Sequence, residues 1–189
     1  MAITPQQGLL TVDEYHALVE QGVLDEDSRV ELVNGKIVEM PPIGPRHQYN
    51  VNRLNQMFML LLVGRMTLSI QNSVRFGRRL ERNPDVVLLA NHDEGPRYYE
   101  TNLPTPTDVL LLVEVSDSTI QTDLGEKALQ YAAHGIIDYW VLDLQADCVV
   151  IHREPTAGGY ASVRSATRGE SISPLAFPDI SFSADEVLG

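Results

Sequence analysis

The sequence predicts a mixed α/β fold in a single domain of residues 1–189, and three observations lead to this prediction. Apolar residues recur at helical spacing between residues 45 and 63. The segments 85–90 and 108–115 are nearly continuous in Val and Leu, which is typical of strands covered on both faces. The chain is also 43% hydrophobic, which is enough to bury a complete core at this length.

The N-terminal part of the chain is predicted to form a short helix and a β-hairpin. Thr11 and Glu14 match a capping box with Thr11 as the N-cap, and Gly22 ends the helix that follows. The residues from Arg29 to Met40 alternate around Asn34-Gly35, the dipeptide that best supplies the two positive φ angles of a type I′ turn. This pattern predicts an N-terminal hairpin.

The middle of the chain is predicted to contain a core helix followed by three strands. The helix runs from about Pro45 to Val63, and Gly64 ends it. We expect the strands at about Thr67 to Phe76, Asp85 to Ala90 and Asp108 to Val115. Residues 91–107, rich in Pro, Gly and Asn, are predicted to form an exposed loop that a partner or substrate could meet.

A second helix is expected after the third of these strands. Asp123, with Glu126 three residues later, is predicted to be its N-cap. Lys127 lies at the edge of the inward stripe and is predicted to point inward. The stripe consists of Leu124, Ala128, Tyr131 and Ala132. A strand at 138–143 and a C-terminal hairpin with strands at 148–153 and 160–164 complete the predicted fold.

The charge of the chain argues against a generic polyanion binder, because its formal net charge is −12 and phosphate binding normally uses a basic face. A local exception is the segment Arg75 to Arg82, which carries four arginines directly before Asp85. The alternative interpretation of this segment is a solvated loop, since blocks of like charge usually mark exposed faces.

Other features of the sequence indicate the compartment. The single Cys148 has no partner for a disulfide within one chain, which fits a reducing compartment. The N-terminus lacks the basic start and apolar core of a signal peptide, and no apolar run reaches the roughly 20 residues that span a bilayer. We therefore expect a soluble, cytoplasmic protein without a membrane partner.

The candidate catalytic residues in the sequence are Asp85, Glu114 and Lys127. Asp85 opens one apolar strand and Glu114 interrupts another, although burying a carboxylate costs several kcal/mol unless cations or hydrogen bonds compensate. A shared metal ion explains both acids and gives the inward lysine a task, either orienting the attacking water or serving as a base if its pKa is depressed. The alternatives are a turn or cap role for Asp85 and a buried salt bridge between Glu114 and Lys127 without metal.

The expected metal is Mg²⁺ or Mn²⁺. Two carboxylates at neighbouring strand ends provide the oxygen ligands that Mg²⁺ prefers, with water and a substrate phosphate completing the octahedron. Zinc is disfavoured, because the histidines at 16, 47, 92, 134 and 152 show no zinc-ligand spacing.

These residues resemble the signatures of the PD-(D/E)XK nuclease superfamily, which has the restriction-endonuclease-like fold. Pro84-Asp85 and Glu114-Val115-Ser116 stand at its two motifs, and Lys127 stands in for the lysine that is usual at the Ser116 position. Together with Arg29 to Gly35, Pro45 to Gln48 and Asp138-Tyr139-Trp140, the pattern resembles the bacterial Uma-two family of endonucleases, formerly a domain of unknown function, over nearly the whole chain.

The resemblance implies an α-β-β-β-α-β core with added N-terminal and C-terminal hairpins, in which Asp85, Glu114 and the Val115 carbonyl bind the metal ion. It further implies that Glu31 and His47 come near the site, Glu31 as a further acidic ligand directly or through water. The alternative for Glu31 is an exposed hairpin carboxylate, and for His47 a polar residue at a helix start. A homodimer is suggested by analogy alone.

The sequence thus predicts a metal-dependent endonuclease with DNA as its substrate. Two alternatives stay open, namely a non-catalytic nucleic-acid or protein interaction module that keeps the nuclease fold, and a hydrolase of small phosphoesters, which the acidic net charge favours. Gln71 is predicted to be an ordinary strand residue, and Tyr131, Tyr139 and Trp140 are predicted to be core aromatics.

Overall fold

A computed structural model describes residues 8–25 and 28–189 of the chain. The helices are α1 (Val12–Glu20), α2 (Pro45–Leu62), α3 (Ile120–Thr122), α4 (Ala128–Ala133) and α5 (Ala184–Leu188), and a π-helical turn at Asp123–Lys127 joins α3 to α4. The strands are β1 (Val30–Val33), β2 (Lys36–Glu39), β3 (Thr67–Ile70), β4 (Val74–Arg75), β5 (Glu81–Arg82), β6 (Val86–Leu89), β7 (Val109–Ser116), β8 (Asp138–Asp143), β9 (Cys148–Thr156), β10 (Gly159–Thr167), β11 (Ser171–Ile172) and β12 (Phe182–Ser183).

The centre of the fold is a six-stranded sheet in the order β10-β9-β8-β7-β6-β3. Neighbouring strands are antiparallel except β7 and β8, which are parallel and are joined through the helical segment α3–α4. The order α2, β3, β6, β7, α3–α4, β8 confirms the predicted α-β-β-β-α-β core. The N-terminal hairpin belongs to a second sheet in the order β2-β1-β5-β4, and its turn residues Asn34 and Gly35 have φ of 52° and 80°.

Two layers of apolar side chains cover the opposite faces of the central sheet. On one face, Leu54 and Phe58 of α2 pack with Leu88 and Leu111, and all of these are fully buried. On the other face, Ala128 and Tyr131 of α4 pack with strand residues such as Leu112. Because successive strand residues point to opposite faces, a strand buried on both sides must be apolar throughout, which explains the unbroken Val and Leu runs.

Two predicted element bounds are wrong, and Leu124, predicted to lie on the inward stripe of the second helix, is instead 37% exposed. The strand expected from Thr67 to Phe76 ends at Ile70, because Gln71 adopts a left-handed conformation with φ of 51°, and the chain re-enters as β4 in the other sheet. Asp123 is also not a helix N-cap. The helix already begins at Ile120 after Thr119, so Asp123 lies inside the π turn with its side chain buried.

The exposed loop predicted over residues 91–107 contains 3₁₀ turns at Gly95–Glu100 and Pro106–Asp108. His92 and Asp108 bracket this loop and lie 2.9 Å apart between Nε2 and Oδ1. Within the described part of the chain, no helix is both long and apolar enough to cross a membrane.

Candidate active site

A cavity of about 220 Å³ opens where the N-terminal hairpin, the start of α2, the ends of β6 and β7, and the π turn meet. Its lining includes Asp85, Glu114, Val115, His47 and Lys127. The structure therefore brings together these predicted site residues, which lie far apart in the sequence.

The register of β6 and β7 explains why the two carboxylates are neighbours. Val86 of β6 pairs with Val113 of β7 in an antiparallel ladder, so Asp85 and Glu114 continue the pairing at the strand ends. The backbone N–H of Val115 donates to Asp85 Oδ2 at 2.8 Å. Asp85 therefore has a structural partner on the strand that carries Glu114.

Asp85 is held by three donors. Besides Val115, His47 Nε2 lies 2.9 Å from Asp85 Oδ2, and Gln71 Nε2 donates to Asp85 Oδ1 at 3.1 Å. Burial of Asp85 opposes its ionisation, but these hydrogen bonds outweigh burial and hold the pKa of the carboxyl below its ordinary value. Asp85 is an ionised carboxylate fixed in orientation.

Glu114 is 2% exposed and shares one oxygen between two donors. Tyr131 donates its hydroxyl to Glu114 Oε1 at 2.7 Å, and Lys127 Nζ lies 3.0 Å from the same atom. Burial raises the pKa of Glu114 to about 8; Lys127 opposes this shift, and the carboxylates of Asp85 and Asp123 add to it. Glu114 is therefore a buried carboxyl whose charge its neighbours compensate only in part.

Lys127 points inward, as the helix periodicity predicted, and its side chain is 13% exposed. Its ammonium contacts Asp123 Oδ1 as well as Glu114 Oε1, both at 3.0 Å. Burial alone would lower the pKa of Lys127, but these two carboxylates raise it above its ordinary value. Lys127 therefore stays protonated, and the alternative in which it acts as a base through a depressed pKa does not fit this environment.

The π turn places Asp123 beside Lys127. Asp123 is 1% exposed, its Oδ2 accepts from the Thr119 hydroxyl at 2.5 Å, and its backbone carbonyl accepts from the Tyr139 hydroxyl at 2.9 Å. π turns inside helices often occur at functional sites, because they shift side chains relative to a regular helix.

The donor set suits a hard divalent cation. Glu114 and Asp123 contact the single ammonium of Lys127. Asp85, which contacts His47, is a third buried carboxylate, and it is close enough to raise the pKa of Glu114. Glu114 Oε2 has no hydrogen-bond partner in residues 8–25 and 28–189. The described residues contain no group of three or more His, Cys, Asp or Glu side chains arranged to hold a metal ion. A cation would thus be held by two carboxylates with water or phosphate, as is common for Mg²⁺.

The structure places Glu31 outside this cavity. Glu31 Oε2 accepts from Arg82 Nη1 at 2.7 Å and Oε1 accepts from the backbone N–H of Asn83 at 2.8 Å. Arg82 also reaches Glu126 and Gln130 next to Lys127. Glu31 is buried rather than exposed, and Arg82 is a buried ion-pair partner rather than part of a solvated basic loop.

His47 and Arg29 line the cavity besides Lys127, and Arg46 lies beside the lining residue Asp117. His47 lies in the first turn of α2 and lines the cavity, and its Nδ1 is buried without a hydrogen-bond partner in the described structure. Arg29 lines the cavity and donates to the Pro41 carbonyl at 2.9 Å. Arg46 lies 3.4 Å from Asp117 and donates to the Leu144 carbonyl.

The sequence pattern does not place Gln71, Asp123 and Tyr131 at the site. It predicts Gln71 only as a strand residue, Asp123 as a helix cap and Tyr131 as a core aromatic. One feature of the sequence does point to Tyr131. It lies on the inward stripe one turn after Lys127, and a buried tyrosine hydroxyl needs a hydrogen-bond partner. Tyr131, Tyr139 and Trp140 are nevertheless fully buried, as predicted.

Comparison with known families decides the affiliation of the chain. A family model described as "Uma2: Putative restriction endonuclease" matches residues 12–185. The chain belongs to the Uma2 family. This membership confirms the predicted resemblance to the family, whose printed description is that of a restriction endonuclease.

The Uma2 fold is also found in a solved structure. The chain is similar to the crystal structure of a putative nuclease belonging to DUF820 from Anabaena variabilis ATCC 29413, with a TM-score of 0.73 and 16% sequence identity. The match covers 95% of this chain and 97% of the other. This similarity supports the restriction-endonuclease-like fold. A search of curated proteins found no match.

Proposed function

We propose that this Uma2 protein is a metal-dependent endonuclease that hydrolyses phosphodiester bonds in DNA. The observation that carries the proposal is the convergence of Asp85, Glu114 and Lys127 on one cavity, with Lys127 Nζ 3.0 Å from Glu114. Two carboxylates can hold a divalent metal ion, and a protonated amine can stabilise the negative charge that develops during phosphoester hydrolysis.

The residues that would hold Mg²⁺ or Mn²⁺ are Asp85, Glu114 and the backbone carbonyl of Val115. When bound, such an ion supplies Lewis-acid polarisation of a phosphate and neutralises charge that develops on it. Burial, and after it the carboxylates of Asp85 and Asp123, raise the pKa of Glu114 to about 8 although Lys127 opposes the shift. A divalent cation would stabilise the ionised form of Glu114, which supports this assignment.

The side chains of the protein have separate tasks in this proposal. His47, Gln71 and the Val115 amide keep Asp85 ionised and oriented. Lys127, held between Glu114 and Asp123, donates hydrogen bonds that orient the attacking water or stabilise negative charge on the phosphate. Glu31 and Arg82 lie behind the site and connect the hairpin to the segment that carries Lys127.

A plasmid-nicking assay tests the proposal. The wild-type protein is expected to nick supercoiled DNA with Mg²⁺ or Mn²⁺ and to lose activity with a chelator. Glu114→Gln, which keeps the size of the side chain, is expected to lower the rate at least about a hundredfold, since removing one charge-stabilising group typically costs that much. Asp179→Asn is the matched control, because Pro178-Asp179 repeats the first motif but Asp179 pairs with Arg65 at the surface.

Metal-independent nicking, or equal rates for wild type and Glu114→Gln, would contradict the proposal. Absence of nicking together with retained DNA binding would instead support the non-catalytic interaction module. Turnover of nucleotides but not of oligonucleotides would support the small-phosphoester hydrolase.

A further inference from the structure

A second cavity of about 360 Å³ lies next to the candidate active site. Its polar lining consists of Arg29 and the side-chain amides of Gln48, Asn52 and Gln71, and its apolar lining includes Val51 and Ile70. Neutral amides beside apolar walls are unlike the carboxylate-rich lining of the first cavity, so the second cavity is suited to a different part of a substrate.

The two amides on α2 are free to bind a ligand. Gln48 and Asn52 are exposed, and within the described chain neither side chain forms a hydrogen bond. They are separated by four residues of α2 and therefore lie on the same helix face, about 5–6 Å apart between Cβ atoms.

Gln71 connects the two cavities. Its side chain lines the second cavity while its Nε2 donates to Asp85 Oδ1 at 3.1 Å, and its backbone N–H donates to the Asp85 carbonyl at 3.2 Å. The positive φ of 51° is unusual for a residue with a side chain. Such strained conformations concentrate at functional sites, where the surrounding contacts maintain them.

Arg29 lies between the cavities and lines both of them. Among the described residues its guanidinium has the Pro41 carbonyl as a partner and no carboxylate. A cation in this place suits a phosphate that joins a group in one cavity to a group in the other.

We propose that the second cavity binds a nucleobase of the DNA strand whose phosphate enters the candidate active site. This inference rests on the proposed function and identifies which part of the substrate the site recognises. A nucleobase combines flat apolar faces with an edge of donors and acceptors, and side-chain amides offer both a donor and an acceptor to such an edge. Arg29 then contacts the phosphate between the base and the scissile bond, and Gln71 couples the occupied base pocket to Asp85.

Binding of short single-stranded DNA to the Glu114→Gln protein tests this inference without cleavage. A fluorescent oligonucleotide is compared with a set in which one abasic site moves along the strand, and affinity is measured by anisotropy with Mg²⁺. Loss of the base at one position is expected to weaken binding about 5- to 100-fold, the range for one recognised base. In the Gln48→Ala/Asn52→Ala variant of the same protein this penalty is expected to disappear.

The matched control is Asn55→Ala/Gln56→Ala, which removes two amides from α2 that line neither cavity and should keep the abasic penalty. The inference is overturned if no single abasic position weakens binding, or if the Gln48→Ala/Asn52→Ala variant keeps the penalty. The nicking assay is independent of this result. Glu114-dependent nicking without an abasic penalty refutes the base pocket alone, and an abasic penalty without metal-dependent nicking refutes the nuclease alone.

Discussion

Glu114 is the cavity carboxyl whose negative charge is least compensated by its neighbours. It is fully enclosed near the carboxylates of Asp85 and Asp123, and the ammonium of Lys127 serves both Glu114 and Asp123. Burial together with the neighbouring carboxylates raises the pKa of Glu114 to about 8. Such an arrangement is costly for a purely structural ion pair, because buried pairs rarely stabilise a fold more than apolar residues of similar volume would. The metal-binding role proposed for Glu114 would account for this arrangement.

The hydroxyl of Tyr131 gives a residue-scale prediction. Tyr131→Phe keeps the ring in its packing position but removes the 2.7 Å hydrogen bond to Glu114 Oε1. Above the Glu114 pKa of about 8, where this carboxyl is ionised, the free energy of unfolding should fall by about 1.5–3 kcal/mol, the range for a bond to a charged group. Urea unfolding measures this difference. Tyr139→Phe, which loses a bond to the Asp123 carbonyl, should cost only about 1 kcal/mol. Equal losses in the two variants would show that the Glu114 contact has no special strength.

At the scale of elements, the π turn between α3 and α4 determines where the site lysine lies. Ser116, at the usual lysine position of the motif, is fully buried at the end of β7. Lys127 instead reaches Glu114 from the helical segment, and Arg82 ties Glu126 of that segment to Glu31 of the hairpin. The ammonium position therefore depends on packing between two sheets and one helix.

Gly125, in the middle of the π turn, gives an element-scale prediction. It does not have a positive φ, and a Cβ built at this position meets nothing within 4 Å. Gly125→Ala should therefore stabilise the fold by about 0.4–1 kcal/mol, because alanine restricts the unfolded chain. Gly135→Ala is the control in the same helical segment. Gly135 has a φ of 81°. Gly135→Ala should therefore lower the free energy of unfolding by about 1–2 kcal/mol, since a side chain strains the left-handed conformation. If urea unfolding shows that both substitutions change the free energy of unfolding in the same direction, the assigned helix end is contradicted.

The sequence contains enough information for the elements but not for every contact of the site. Continuous Val and Leu runs made the strands of Asp85 and Glu114 recognisable, and helical periodicity gave the direction of Lys127. The contacts of Gln71 could not be predicted, because they depend on a left-handed residue that ends β3 early. The ion pair between Glu31 and Arg82 could not be predicted either. Its two residues belong to different strands, which are neighbours only in the folded second sheet.

At the scale of the molecule, the net charge of −12 limits how DNA can be bound. Many arginines are already neutralised by neighbouring carboxylates, among them Arg65 with Asp179 and Arg168 with Asp147. Arg29 is one cation at the site without such a partner in the described chain. DNA binding should therefore use few phosphate contacts and show a shallow dependence on salt.

Arg29 gives a prediction at this scale. Arg29→Ala should weaken DNA binding at every sequence and reduce the slope of log K against log salt by about 1, the effect of one lost phosphate contact. Anisotropy titrations at several salt concentrations measure this slope. Arg164→Ala removes an exposed arginine on the edge strand β10 that lines neither cavity, and it should leave the slope unchanged. Equal slopes for wild type and Arg29→Ala would show that Arg29 does not contact a DNA phosphate.

Calorimetric titration with Mn²⁺ tests most directly the claim that Asp85 and Glu114 hold a metal ion together. The wild-type protein is expected to bind Mn²⁺, and both Asp85→Asn and Glu114→Gln are expected to weaken binding at least about tenfold, whereas Asp179→Asn should match the wild type. Undetectable binding to the wild type, or unchanged affinity in Glu114→Gln, would contradict the claim and leave Glu114 and Lys127 as a buried salt bridge.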